Sequence, residues 1–120
     1  MNQLRDSRMN QIKDLLQTMI DGANYAHHQI NHGDLSMAVI VTEDIIAGFV
    51  SIEETVVSMK DELNDHDAIE AHLALVKETL NKIVLSFEST SYQQISSIIK
   101  RSLVKQLTDL LIAIEQIIDN

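Results

Sequence analysis

Histidines are the residues in this chain best suited to metal binding or to proton transfer near neutral pH, and three of the five lie close together. His28 and His32 are four residues apart, so they share one face of a helix, and with the nearby Asp34 they could hold a divalent ion. The alternative is that His27, His28 and His32 are solvated at a helix end, where a protonated imidazole suits the negative pole of the helix dipole. Di-iron bundles use Glu-x-x-His pairs, which this sequence lacks, and we therefore predict no dedicated metal site.

Two acidic pairs, Glu53-Glu54 and Asp61-Glu62, resemble the paired motifs with which helical pyrophosphatases bind magnesium. At 100° per residue, however, Glu54 and Asp61 lie about 160 to 180° from the core direction of their helix, on a solvated face. No glycine-rich phosphate loop precedes a helix, and no cysteine is available as a nucleophile. We predict a protein that is not an enzyme and that uses no cofactor.

The composition of the chain limits its size class, its location and the kinds of molecule that it can bind. The chain has 120 residues with 45% apolar content, which suits a single domain spanning residues 1–120. Its 18 acidic and 9 basic residues give a net charge of -9, which repels nucleic acids and anionic membranes. No stretch approaches the ~18 uncharged apolar residues of a membrane-spanning helix. Because cysteine is also absent, we predict a cytoplasmic protein with no nucleic-acid or membrane partner.

Four apolar stripes, whose members are spaced mostly by three and four residues, cover nearly the whole chain. They are Ile12, Leu16, Met19, Ala23, Ala26 and Ile30; Ile45, Phe49, Ile52, Val56, Met59 and Leu63; Ile69, Leu73, Val76, Leu80, Ile83 and Phe87; and Ile99, Leu103, Leu107, Leu110, Ile114 and Ile117. Such spacing keeps one seam of a helix facing one direction, so each stripe predicts an amphipathic helix.

Short polar breaks separate the four predicted helices. The first two cover about residues 4–31 and 35–63, the third follows the polar cluster at 64–67 and ends near 87, and the fourth continues to the C-terminus. Gly33 can adopt the left-handed conformation that ends a helix, and Asp34 can cap the next one. Ser91 and Gln94 have the spacing of a capping box. Because each loop is short, consecutive helices must be antiparallel, which predicts an all-α, up-down-up-down four-helix bundle.

Helices two and four carry a second apolar stripe beside the core seam. The additional residues are Val39, Ile46, Val50 and Val57 on helix two and Val104, Leu111 and Ile118 on helix four. They lie roughly 80 to 140° from the core direction. One interpretation is a wide seam within the bundle; the other is a surface for self-association or for a partner helix. We favour the second, and predict a protein-interaction module such as an adaptor, a regulator or an export chaperone, most simply a homodimer.

Four small residues, Ala23, Ala26, Ala38 and Thr42, should lie at one level of the bundle, near the end that carries His27, His28 and His32. Either side chains from the other two helices fill this layer, or a pocket remains. A pocket would support the alternative function, a ligand-binding or catalytic bundle that uses a small molecule or a metal at the end near His27, His28 and His32.

The segment from Ala26 to Met59, with its Gly33-Asp34 turn, Ala38, Ile45-Ile46 and Ile52, resembles the central hairpin of small acidic flagellar export chaperones of the flagellin-binding kind. It is equally similar to small bacterial helical bundles of undefined role. The resemblance to the chaperones implies an antiparallel bundle that holds the helical tail of an export substrate along its hydrophobic surface.

Overall fold

The four apolar stripes form four antiparallel helices, as predicted, in a computed structural model that describes residues 3–89 and 92–119. The helices are α1 (Gln3–Asn31), α2 (Leu35–Ser58), α3 (His66–Glu88) and a fourth helix that has three consecutive parts. These parts are α4 (Tyr92–Ile98), a π-helical turn (Ile99–Leu103) and α5 (Val104–Asp119). The chain is therefore an all-α four-helix bundle, about 49 Å long and 20 Å wide.

The core consists of the predicted seams. Every residue of the four stripes is buried, except Ile30, Phe87 and Ile117, which are half-buried near helix ends and pack against the core. The interior is almost entirely aliphatic, with Phe49 as its aromatic member among the described residues. Burial of these side chains is the main favourable contribution to folding.

The first turn also follows the prediction. Gly33 has a φ of 82°, in the left-handed region that glycine adopts without a steric penalty. The Asp34 carboxylate accepts a hydrogen bond of 3.1 Å from the backbone N–H of Met37, and so caps α2. The backbone N–H of Asp34 donates to the carbonyl of Gln29 at 2.8 Å, which satisfies one of the last carbonyls of α1.

The second turn differs from the prediction, because α2 ends at Ser58 rather than near Leu63. A 3₁₀ turn, Lys60–Glu62, follows, and the backbone at Leu63 is extended. Met59 and Leu63 are nevertheless both buried. The tighter turn starts the chain reversal while it keeps these two side chains in the core. Ser91, predicted to cap the fourth helix, lies outside the described residues.

The π-helical turn in the fourth helix was not predicted, and the spacing of the core residues explains it. Ile95, Ile99, Leu103 and Leu107 follow one another at intervals of four. In an α-helix each such interval rotates the seam by about 40°, so three in succession would carry it off the core. The backbone N–H of Val104 bonds instead to the carbonyl of Ile99, five residues back, which underwinds the helix. All four side chains consequently remain buried.

The sides of the bundle are packed unequally. α1 lies against both α2 and the fourth helix, and α3 lies against the fourth helix, whereas α2 and α3 contact each other least of these neighbours. Gly48 permits the close approach of α1 and α2, since a Cβ at that position would lie 3.1 Å from the Met19 sulfur. The side formed by α2 and α3 is consequently the most open.

Replacing a core leucine should destabilise the bundle far more than replacing an exposed one. Leu110 is fully buried and Leu85 is 62% exposed, and both lie within helices. We expect Leu110→Ala to lower the free energy of unfolding by about 2–5 kcal/mol and Leu85→Ala by about 0.5 kcal/mol or less, as measured by urea denaturation. Equal losses from the two variants would contradict the described core.

The Gly33 turn allows a second test in which packing is not involved, because a Cβ added to this glycine would have no atom within 4 Å. Gly33→Ala should therefore cost about 1 kcal/mol through backbone strain alone. Gly33→Asn should cost less, since asparagine tolerates the left-handed region. Thermal unfolding of the two variants measures the difference, and an alanine variant as stable as the parent chain would refute the left-handed turn.

Candidate functional site

A groove runs along the open side of the bundle, between α2 and α3. It has a larger section of about 590 Å³ and a smaller one of about 160 Å³. Glu53 and Lys77 line both sections, and the Lys77 ammonium lies 3.7 Å from the Glu53 carboxylate. This ion pair connects the two helices across the groove. We name the two sections together the α2–α3 groove.

The walls of the α2–α3 groove are apolar. Ile46, Val50 and Val57 line it from α2, and these are three of the four residues of the predicted second stripe on that helix. Val50 is 43% exposed and Val57 is 58% exposed. Leu73 and Leu80 line the opposite side. The monomer therefore leaves two valines uncovered. Burying them against a partner would stabilise the complex by about 1 kcal/mol or more for each side chain.

The rim of the groove is predominantly acidic. Glu53, Glu54 and Glu70 line the larger section, where Lys77 is the only cation among the lining residues. Glu70 is exposed, and Glu54 points to solvent as its angular position predicts. In a chain with a net charge of -9, this rim favours an approaching group of positive charge.

The remaining residues predicted to bind a partner lie elsewhere. Val39 is half-buried on α2 and lines neither section of the groove. On the fourth helix, Leu111 is 9% exposed and belongs to the core, while Val104 and Ile118 are half-buried and pack against it. The fourth helix contacts both α1 and α3, which widens its buried face. Leu111 is therefore not available to a partner, whereas partner binding by the half-buried Val104 and Ile118 stays a prediction.

Sequence reasoning missed the half of the groove that α3 supplies. Leu73 and Leu80 belong to the predicted core seam of that helix, and Ala74 had no predicted role. The core leucines are almost fully buried, but their side chains also form the floor of the groove. The sequence feature that could have indicated this half of the groove is the short side chain of Ala74, which leaves space beside Val57.

α2 has more apolar surface than the bundle buries. By length and composition alone this helix is able to cross a membrane, with a mean hydropathy of 1.8 in its most apolar 18-residue window. Glu43 and Asp44 interrupt it, so it is not the uncharged stretch that the sequence was expected to lack, but it is more apolar than that expectation implied. Core helices of globular proteins meet the same criterion, and Ile45, Phe49 and Ile52 do pack in the core. Only 28% of that window is buried, however, which leaves an apolar surface that the monomer does not cover.

At the other end of the bundle, His27 forms part of a closed hydrogen-bond network. With hydrogen on Nδ1, His27 donates to the carbonyl oxygen of Ser96 at 3.1 Å and to its Oγ at 2.8 Å. The Ser96 hydroxyl donates to Asn31 Oδ1 at 3.0 Å, and Asn31 Nδ2 donates to His27 Nε2 at 3.2 Å. Because the serine proton is directed to Asn31, the imidazole is not placed as a general base for Ser96. The network joins α1 to the fourth helix.

His28 and His32 are exposed, and their ring centroids are 4.0 Å apart. Nδ1 of His32 donates to the carbonyl oxygen of His28 at 2.8 Å, which leaves Nε2 to face solvent. The two side chains therefore form a surface pair at the end of α1, apart from the α2–α3 groove.

The layer of small residues is buried. Ala23, Ala26, Ala38 and Thr42 are each at most 4% exposed, and the Thr42 hydroxyl donates to the Ala38 carbonyl at 2.7 Å. The contacts of His27 with Ser96 and of Asn24 with Lys100 place Ile95 and Ile99 at this level of the bundle. Both isoleucines are fully buried, as expected for side chains that fill the layer.

A second groove of about 420 Å³ lies on the outer side of α1 and α2. Leu15, Tyr25 and Val41 are among its lining residues, together with the acidic Asp21 and Asp44. This α1–α2 groove contains none of the residues predicted to bind a partner.

The fold and the groove define a helical bundle with an open, apolar side. Residues 8–118 match a family described as a domain of unknown function, DUF8042, and the chain belongs to that family. Neither the curated proteins nor the solved structures contain a significant match to the chain.

The His27 network should be structural, and its removal is testable with a neighbouring control. Ser96 is buried and Ser97 is exposed on the same helix. We expect Ser96→Ala to lower the free energy of unfolding by about 1–3 kcal/mol, because its hydrogen bonds to Asn31 and His27 are lost, and Ser97→Ala to change it by about 0.5 kcal/mol or less. Chemical denaturation measures both, and an unchanged stability of the Ser96 variant would disprove the role of the network.

Proposed function

We propose that this protein is a non-enzymatic binding module that holds an amphipathic helix of a partner protein in the α2–α3 groove. The observation that carries the proposal is the position of Val50 and Val57, which are exposed on the wall of a groove rather than scattered over the surface. Contiguous apolar surface between two helices is a common docking site for the apolar face of a third.

The dimensions of the groove suit a helix. From Ile46 to Val57 the wall contributed by α2 extends over twelve residues, and the eleven steps between them span about 17 Å at 1.5 Å per residue. This is about three helical turns, enough for apolar anchors at positions i, i+3 or i+4, and i+7 of a bound helix. Each anchor would bury part of a valine or leucine on the groove wall.

The acidic rim of the α2–α3 groove favours some binding partners over others. Glu53, Glu54 and Glu70 favour a partner helix with lysine or arginine beside its apolar face. A second copy of this chain would bring two acidic rims together, since the whole chain carries a charge of -9. We therefore commit to a basic amphipathic helix. The homodimer predicted from the apolar stripes stays a prediction, which light scattering tests.

The Lys77–Glu53 ion pair is the element that a bound helix must accommodate. Lys77 is 61% exposed, so the pair lies at the surface and contributes about 0–1 kcal/mol to stability. A cation on the partner can replace Lys77 beside Glu53, and the long lysine side chain can move to solvent at little cost. The groove is thereby able to become one continuous channel when a basic helix binds.

This activity includes that of a chaperone for a helical segment, which is what the resemblance of residues 26–59 to flagellar export chaperones implies. A cytoplasmic location belongs to the same proposal, since a chain without cysteine suits a reducing compartment.

Selection from a displayed library of amphipathic helical peptides tests the proposal. We expect the selected peptides to carry apolar residues at i, i+3 or i+4, and i+7 with flanking lysine or arginine, and to bind with 1:1 stoichiometry. The variant Val50→Glu/Val57→Glu should lose about tenfold or more in affinity, because a carboxylate would be desolvated against the apolar wall. Fluorescence anisotropy measures the dissociation constants.

The matched control is Ile40→Glu/Ile112→Glu, which places the same charges at two exposed apolar positions outside the groove. It should leave peptide affinity unchanged to within about twofold, apart from long-range attraction that salt removes. The proposal fails if selected peptides bind both double variants equally or show no preference for basic residues. It also fails if light scattering shows a dimer that only the Val50→Glu/Val57→Glu variant disrupts, since the groove would then be a self-association surface.

A further inference from the structure

A cluster of potential metal ligands lies at the start of α3, at the opposite end of the bundle from His28 and His32. Nδ1 of His66 is 3.6 Å from Oε1 of Glu70, one helical turn later. One donor atom from each of His66, Asp67 and Glu70 lies within 4.8 Å of the other two. Among the residues that the structure describes, this is the group of three in which such atoms come together.

The imidazole of His66 is the unusual member of the cluster. Its side chain is only 6% exposed, yet neither ring nitrogen has a hydrogen-bond partner. Buried polar groups in native proteins are almost always satisfied by protein, by water or by an ion, because an unpaired one loses its hydration without compensation. Asp67 and Glu70 are exposed, so their carboxylates remain free to approach an ion beside the ring.

The geometry suits a small divalent ion. Two ligands of a tetrahedral Zn²⁺ at about 2.1 Å are about 3.4 Å from each other, close to the observed separation of His66 Nδ1 and Glu70 Oε1. The Asp67 carboxylate lies within 4.8 Å of both, and its exposed side chain is able to rotate towards an ion held by them. Two carboxylates and a neutral imidazole balance a charge of +2, and a mixed nitrogen and oxygen set suits first-row transition ions such as Zn²⁺.

The alternative is a direct ion pair between His66 and Glu70 without a metal. The start of α3 is the positive pole of its helix dipole, which favours the two carboxylates beside the ring. A ring nitrogen of a neutral imidazole is the donor that metals bind.

We propose that His66, Asp67 and Glu70 form a binding site for a divalent first-row transition ion, with water completing the coordination. The ion would satisfy one buried nitrogen of His66 and fix the first turn of α3. This inference does not depend on the proposed helix-binding function, although Glu70 also lines the α2–α3 groove.

Calorimetric titration of the EDTA-treated protein with ZnCl₂ tests the site. The double variant His28→Gln/His32→Gln serves as the background, because the exposed histidine pair is itself able to bind zinc. We expect one ion per chain with a dissociation constant below about 100 µM. Adding Glu70→Gln should weaken binding by about tenfold or more, since loss of a ligand costs at least as much as loss of an outer-shell partner.

The matched control is Glu78→Gln, which changes another exposed glutamate of α3 that is paired with Lys82 instead of with a histidine. It should leave zinc affinity unchanged. A second readout comes from ¹⁵N NMR of the histidine rings, in which the signals of His66 should shift on zinc addition. Circular dichroism of the Glu70→Gln variant verifies that its helices are intact, so weakened binding by a folded variant supports the site.

Three results would overturn the proposal. The first is the absence of saturable zinc binding in the background variant, and the second is binding that Glu70→Gln leaves unchanged. The third is a His66 ring whose NMR signals respond to pH but not to zinc, which would identify an ion pair with Glu70 instead of a metal site.

Discussion

The structure depends on the burial of one aliphatic seam from each of four helices, and α2 has more apolar surface than this arrangement can cover. Three sides of the bundle close over their seams, and the Gly48 contact brings α1 and α2 especially near to each other. The fourth side, between α2 and α3, is the least closely packed, and the Glu53–Lys77 pair and the small Ala74 lie along it. An apolar channel with an acidic rim results from this single mismatch, and the proposed activity follows from it.

Much of the fold was predictable from local rules. The seams, the left-handed Gly33 and the Asp34 cap each follow from the residues nearest to them, and the structure confirms all three. The early end of α2 and the π-helical turn were not predicted, because both depend on burying several core side chains at the same time. The four-residue intervals from Ile95 to Leu107 did contain the signal for the π-helical turn, since a regular α-helix cannot keep such a series on one side.

The candidate site was only half predictable. The second stripe on α2 indicated an uncovered surface, but the equivalent stripe on the fourth helix did not, and Leu111 lies in the core. A helical wheel gives the angle of a residue but not how many neighbours its helix has, and the fourth helix has two extensive ones. His66 was missed for a related reason: it was assigned to a polar connection, and its burial beside Glu70 depends on the tertiary structure.

The most direct test of the central claim is methyl NMR of the protein bound to a basic amphipathic helix chosen by selection. If α2 presents its surplus apolar surface to a partner, the methyl signals of Val50, Val57 and Leu73 should shift on binding, while those of Leu15 and Val41 in the α1–α2 groove should not. Shifts confined to the α1–α2 groove, or spread evenly over all exposed methyl groups, would contradict the account.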